Sequence, residues 1–145
     1  MSLRISLFKH LRATVRDVFA DADVYPANAV PKTTHKRYVI YQRISAEHHR
    51  HLNGGSGVVS QRWQIDCWAR TMADAELMSD AIRVSLDNRT TAIGSGEDVT
   101  EINAAFLDGD SEETTAPTDS SQIGRARVRM DFMISHPETV TPGAN

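Results

Sequence analysis

A regular alternation of apolar residues with mostly charged ones in the segment 123–136 constrains the fold more than any other feature of the chain. A period of two predicts a β-strand with one face buried and the other exposed. Such a strand needs neighbouring strands and a layer packed on its apolar face. The apolar positions are Ala126, Val128, Met130, Phe132 and Ile134, and the charged positions between them are Arg125, Arg127, Arg129 and Asp131.

Four other stretches also predict strands. Tyr38–Ser45 is dense in β-branched and aromatic residues, and Val58–Ala69 alternates with Trp63, Ile65 and Cys67 on one face. Between them, Asn53-Gly54-Gly55 favours the tip of a hairpin within the loop 46–57. Asp23–Pro26 predicts a short extended piece, and Val99–Leu107 predicts a further strand.

Two segments have helical periodicity. Residues 6–19 place Leu7, Leu11 and Val15 on one side, and a second apolar stripe follows Thr71. Thr71 is expected to cap this second helix with Asp74 as its capping-box partner, and Asn88 to end it.

The resulting order, α-β-β-β-α-β-β, predicts an α+β fold in which two helices pack on one face of an antiparallel sheet. We expect one domain over residues 1–136, because the chain has 145 residues. The composition of residues 137–145 favours a flexible tail. No apolar run approaches the ~20 residues of a membrane helix, and no signal-peptide core is present. One cysteine excludes an internal disulfide, which is compatible with a reducing compartment or with either redox environment.

Charge is distributed unevenly. The chain carries 16 basic and 19 acidic side chains, and the segment 96–119 has eight acidic residues and no basic ones. Residues 108–122 are therefore expected to form a solvated acidic loop. Because cations are scattered at low density, sequence-specific binding of duplex DNA is disfavoured.

No catalytic constellation is apparent. Cys67 is expected to be a packed core thiol, and the glycines lack the pattern of a phosphate-binding loop. Side chains of the types that bind metals occur in and near the predicted hairpin loop: Glu47, His48, His49, His51 and His35. Only His49 and His51, however, would share one side of an extended chain. A solvated hairpin tip or a contact surface is the favoured interpretation.

The row formed by Arg125, Arg127 and Arg129 allows two interpretations. It resembles a ladder for phosphates, but an interface face of an amphipathic strand is commoner. The acidic segment 96–119 offers these arginines a partner within one subunit or between subunits.

Five strings, in their order and spacing, resemble the small tail-completion or tail-terminator family of long-tailed bacteriophages and phage-like gene transfer particles. The resemblance spans about Leu7 to His136, and the His-rich hairpin tip and the long acidic loop depart from the family pattern. The strings are DVYP, YVIYQRIS, VVSQRWQIDCWA, ADAELMSDAIRVSL and VRMDFMIS.

The resemblance implies a terminator-like fold and a structural virion protein without catalysis or cofactor. It implies a six-fold ring that caps the tail tube at its head-proximal end, ends tube polymerisation and joins the tail to the head. Its partners would be copies of itself, the major tail tube protein and the head-tail connector. The particle would assemble in the bacterial cytoplasm without a membrane, and DNA would pass through the lumen of the ring without sequence-specific binding.

A head-to-tail ring needs two complementary patches on each copy. The candidate interface residues are His48, His49, Arg50, His51, Asn53, Arg125, Arg127 and Arg129. The candidate lumen-facing acidic loop carries Asp108, Asp110, Glu112, Glu113 and Asp119. Two alternatives stay open at this point: a head-side connector or stopper protein, and a His-loop module that binds a metal or small ligand.

Overall fold

The structure is a computed structural model, and it describes residues 3–29, 37–51, 54–115 and 125–137. Of the predicted tail 137–145, Pro137 ends a strand, and the remainder lies outside the described residues. The elements in chain order are α1 (Leu3–Val18), β1 (Asp23–Pro26), β2 (Arg37–His51), β3 (Gly54–Ala69), α2 (Met72–Leu86), β4 (Ala92–Ser95), β5 (Asp98–Glu101), β6 (Ala104–Thr115) and β7 (Arg125–Pro137).

The main sheet has five strands in the order β1-β2-β3-β7-β6. The fold is α+β as predicted, but the sheet is mixed, because β1 runs parallel to β2 while the other pairs are antiparallel. The expectation of an antiparallel sheet is therefore wrong at this edge. A tight turn between two paired strands makes them antiparallel. Ten residues, 27–36, separate β1 from β2, so the chain is long enough to return and pair in parallel.

The alternation in β7 is confirmed by its burial, since every second residue from Ala126 to Ile134 is buried. Trp63, Ile65 and Cys67 on β3 are buried on the same face, which packs against the helices. The burial of one face follows directly from the period of two in both strands. We call the opposite face of the sheet the helix-free face.

Both helices bury the stripes that their periodicity predicts. On α1, Leu7, Leu11 and Val15 are fully buried, and α2 buries Met78 and Ile82. No helix in the described ranges is long and apolar enough to cross a bilayer.

The start of α2 agrees in part with the predicted capping. The Thr71 hydroxyl accepts from the Asp74 amide at 3.3 Å, as expected of an N-cap. The Asp74 carboxylate, however, accepts from Arg37 Nε at 3.1 Å and so links α2 to the first residue of β2.

A small hairpin of β4 and β5 follows α2 and was not expected from the sequence. The predicted single strand 99–107 is wrong, because residues Ile102 and Asn103 separate β5 from β6. The hairpin packs on α1, where the hydroxyls of Ser6 and Thr100 lie 2.6 Å apart in a buried contact.

Candidate assembly interface

The arginine row of β7 lies on the helix-free face, opposite the buried positions of the same strand. Arg129 binds Asp66 through two nitrogens, with distances of 2.8 and 3.1 Å to the two carboxylate oxygens. Asp66 is only 6% exposed, and its hydrogen bond raises the pKa of Arg129. The bidentate geometry fixes both side chains, so this arginine is committed within its own chain.

Arg127 and Arg125 also have partners in the chain. Arg127 donates to Glu113 at 2.7 Å, and its guanidinium lies 5.5 Å from the ring centre of Trp68. Arg125 donates to the Tyr38 hydroxyl at 3.3 Å, and the Tyr38 ring stacks on Trp68 with ring centres 6.2 Å apart. The row is therefore part of a packed polar and aromatic layer and does not form a ladder of exposed cations.

A further ion-paired group completes this face near its centre. Arg62 on β3 binds Asp108 at 2.5 Å and approaches Asp131 at 3.9 Å. Across the described helix-free face, the arginines 62, 125, 127 and 129 thus accompany the carboxylates 66, 108, 113 and 131. The sequence analysis suggested that the arginine row pairs with the acidic segment 96–119. Arg127 and Glu113 form such a pair within one chain.

The predicted acidic loop is largely a strand. Residues 108–115 belong to β6, and residues 109–115 pair with β7, so the expectation of a loop from Asp108 is wrong over this range. Main-chain pairing with β7 and the arginines on that strand offset the weak β-propensity of the acidic residues. Asp119 lies outside the described residues.

The alternation of β6 divides its acidic side chains between the two faces. Glu113 pairs with Arg127 on the helix-free face, whereas Asp110 and Glu112 pair with Met130 and Val128 and lie on the helix side. The register with β7 is regular from Gly109 onward, after a bulge at Asp108, and residues 108–114 are all exposed. The acidic residues therefore form an exposed margin of the sheet on both faces.

The His-rich hairpin is also more ordered than predicted. β2 continues to His51 and β3 begins at Gly54, so the expected loop 46–57 is wrong, although the chain does reverse there. His48 pairs with Val59 and is exposed, while the strand backbone alone is described for residues 49–51. His35 and Asn53 lie outside the described residues. Pairing of the two strands continues past two bulges, which glycines and polar residues tolerate.

A pocket at the β2 edge was missed by the sequence reasoning. Its volume is about 430 Å³, and it is lined by residues that include Arg4, Asn28, Tyr41 and Arg43. Arg4, at the start of α1, places its guanidinium 5.0 Å from the ring centre of Trp63. Arg4 and Arg43 are far apart in sequence, so only the packing of α1 against β2 could bring these two cations together.

The described residues offer little support for chemistry. They contain no group of three or more His, Cys, Asp or Glu side chains that could hold a metal ion. Cys67 is fully buried, and desolvation raises the pKa of its thiol, as in an inert core cysteine.

Comparison with known proteins identifies the family. No curated protein matches the chain. The sequence model of the family described as tail completion protein gp17 matches residues 5–135, which span both helices and nearly all of the sheet. This range agrees with the resemblance noted from the five strings. The chain therefore belongs to the tail completion protein gp17 family of phage tail structural proteins.

Proposed function

We propose that this protein completes the tail at its head-proximal end, where a six-fold ring of copies caps the tube, stops addition of tube protein and joins the tail to the head connector. The family match over residues 5–135 is the observation that carries the proposal. Closing a ring uses each copy's two joining surfaces on its neighbours, which leaves none for further sideways growth.

The helix-free face supports passage of DNA through such a ring. A channel wall with unpaired cations would bind phosphates, since each contact releases counterions. Here the arginines 62, 127 and 129 are held by carboxylates of the same chain. We assign this face to the lumen, with Asp108 and Glu113 of strand β6 taking the lumen-facing role first attributed to a loop.

Removing the gene from its phage or phage-like particle tests the proposal. Electron microscopy should then show filled heads without tails, together with tubes of abnormal and variable length. Supplying the protein in trans should restore joined particles. Normal particles in the absence of the gene would contradict the proposal.

The same images separate a terminator from a head-side stopper. Loss of a stopper should give tails of normal length and heads that have lost their DNA, because the tube end would still be capped. That result would assign the protein to the head side of the joint.

A further inference from the structure

The two edges of the main sheet differ in charge, and among the described residues no strand covers part of either edge. On β6, the amides of Ala105 and Leu107 point outward and bind the Arg89 carbonyl and the Asp87 carboxylate, each at 2.9 Å. A bulge at Asp108 ends this cover. From Gly109 to Thr115, no strand within the described ranges pairs with the outer edge.

The other edge is open where the short strand β1 ends. β1 pairs only with residues 38–41 of β2, and the Ala27 amide adds one bond to the Tyr41 carbonyl at 3.1 Å. From Gln42 onward, no strand among the described residues covers the outer edge of β2. This stretch begins at the pocket lined by Arg4 and Arg43.

We propose that the outer edge of β6 in one copy pairs, antiparallel, with the open edge of β2 in the next copy, so that Glu112 enters the pocket lined by Arg4 and Arg43. The proposal rests on the ring of the proposed function and names the surfaces that build it. Unpaired strand edges bind other strands readily, because each carries a row of unused amides and carbonyls.

Charge selects the partner edge. The open part of β6 carries three acidic residues, Asp110, Glu112 and Glu113, and no basic one. The open part of β2 carries two basic residues, Arg43 and Arg50, and one acidic residue, Glu47, and Arg4 lines the pocket beside Arg43. Two β6 edges would repel one another, whereas unlike edges attract. The contact is therefore head-to-tail, as a ring requires.

The strand directions and faces fit this contact. Because β2 and β7 run together while β3 and β6 run opposite, β6 of one copy meets β2 of a similarly oriented copy in antiparallel fashion. Glu112 is on the helix side, opposite Val128, and Arg43 is on the same side, opposite Trp63. Ser111 pairs with Arg129 and Ser45 with Arg62, so both serines lie on the helix-free face.

The cover provided by β1 also sets the stagger between copies. Within one copy, Ser111 is level with Ile40 through Arg129 and Asp66, but β1 covers Ile40, so an incoming Ser111 must lie near Ser45. A bulge between Arg43 and Ser45 places Ser45 opposite Arg62, four residues of β3 from Asp66, so this shift is about 13 Å along the strand for about 19 Å across four strands. The resulting tilt of about 35° lies at the lower end of the range of closed barrels.

Cysteine cross-linking tests the contact without changing charge. The double variant Ser45→Cys, Ser111→Cys is treated with a short bismaleimide at rising protein concentration, and its mass distribution is measured in parallel. Cys67 stays in place because it is fully buried. We expect a ladder of covalent oligomers that ends at the ring size. Each single variant should stay monomeric after denaturation, and an equal mixture of the two should give dimers.

The outcomes separate this contact from the function itself. Oligomers that give no ladder would overturn the β6–β2 contact and leave the terminator role standing. Dimers from Ser111→Cys alone would show symmetric β6 pairing and overturn the proposal. A ladder that forms only when tube protein is added would support it, because both introduced cysteines belong to copies of this chain. Protein that gives no ladder at any concentration, with or without tube protein, overturns it as well. Complete particles formed without the gene would instead contradict the function.

Discussion

At the scale of single residues, the Arg129–Asp66 pair should contribute more stability than any exposed ion pair of the chain. Asp66 is 6% exposed, so removing its partner leaves a carboxylate that water reaches poorly. Arg129→Met should lower the free energy of unfolding by about 2–3 kcal/mol. Urea unfolding followed by circular dichroism measures the change.

The matched control for this variant is Arg83→Met. Arg83 and Asp80 lie 3.6 Å apart on α2 with side chains 50% and 64% exposed. Loss of such a pair should change the free energy of unfolding by less than about 0.5 kcal/mol. Adding Asp66→Asn to Arg129→Met should recover part of the loss. Equal effects of the two methionine variants would show that burial of Asp66 does not govern the pair.

His10 should make stability depend on pH. It lies between the helices with its Nε2 3.0 Å from the Ser85 hydroxyl oxygen. Burial, assisted by the charge of Arg89, lowers its pKa from 6.5 to about 4. Between these values the unfolded chain binds a proton that the folded chain does not, so stability falls as the pH falls from 6.5 toward 4.

The variant His10→Gln isolates this effect. It keeps a polar group beside Ser85 but cannot take up the proton. Between about pH 7 and about pH 4.5 the natural chain should lose roughly 2 kcal/mol more than the variant, after allowance for the partial exposure of His10. Denaturant titrations at both pH values measure the difference. Parallel loss in the two proteins would mean that the folded chain protonates His10 as readily as the unfolded chain does.

At the scale of elements, the β4–β5 hairpin depends on Gly94. Its φ is +108°, and a Cβ there would lie 1.9 Å from the Asp98 carbonyl oxygen and 3.1 Å from the Ser6 Cβ. Because the nearest obstacle is backbone, Gly94→Ala should cost about 3 kcal/mol or more. Gly96 has a φ of +61° but no atom within 4 Å of an added Cβ, so Gly96→Ala should cost about 1 kcal/mol. Thermal unfolding of both variants tests this ranking, and similar melting temperatures would contradict it.

Which elements the sequence predicts depends on whether their signal is local. The burial of β7 on one face produces a period of two, so the strand and its buried face were predicted correctly. The helices were predicted for the same reason, because each places a stripe on the core. The parallel pairing of β1 with β2 was not predictable, since strand direction depends on the path of the chain between them.

Strand β6 shows why composition misled the prediction. Its residues 108–113 read as a solvated loop, yet Arg127 of β7 and Arg62 of β3 lie where they neutralise Glu113 and Asp108. The stabilising partners are on other strands, and a local window does not contain them. The pocket of Arg4 and Arg43 was missed for the same reason, because α1 and β2 meet only in the fold.

At the scale of the whole molecule, the two open edges should make assembly sensitive to charge. Glu112→Arg and Arg43→Glu each place like charges at the β6–β2 contact, so each should weaken self-association by about tenfold. Asp80→Arg, on the exposed side of α2, is the control and should leave association unchanged. Sedimentation velocity at low salt measures the change. Equal weakening by the control would indicate a general effect of charge.

Mixing the two charge variants provides a stricter test of a head-to-tail contact. At one joint the arginine introduced by Glu112→Arg faces the glutamate introduced by Arg43→Glu, and at the next joint the natural Glu112 faces the natural Arg43. Both kinds of joint are therefore attractive, so an equimolar mixture should associate more strongly than either variant alone. The copies must alternate, which closes a ring only if its number is even, as in the proposed six-fold ring. Mass photometry should then show full rings in the mixture, whereas an odd-numbered assembly would give open chains, and no recovery at all would contradict the pairing of these edges.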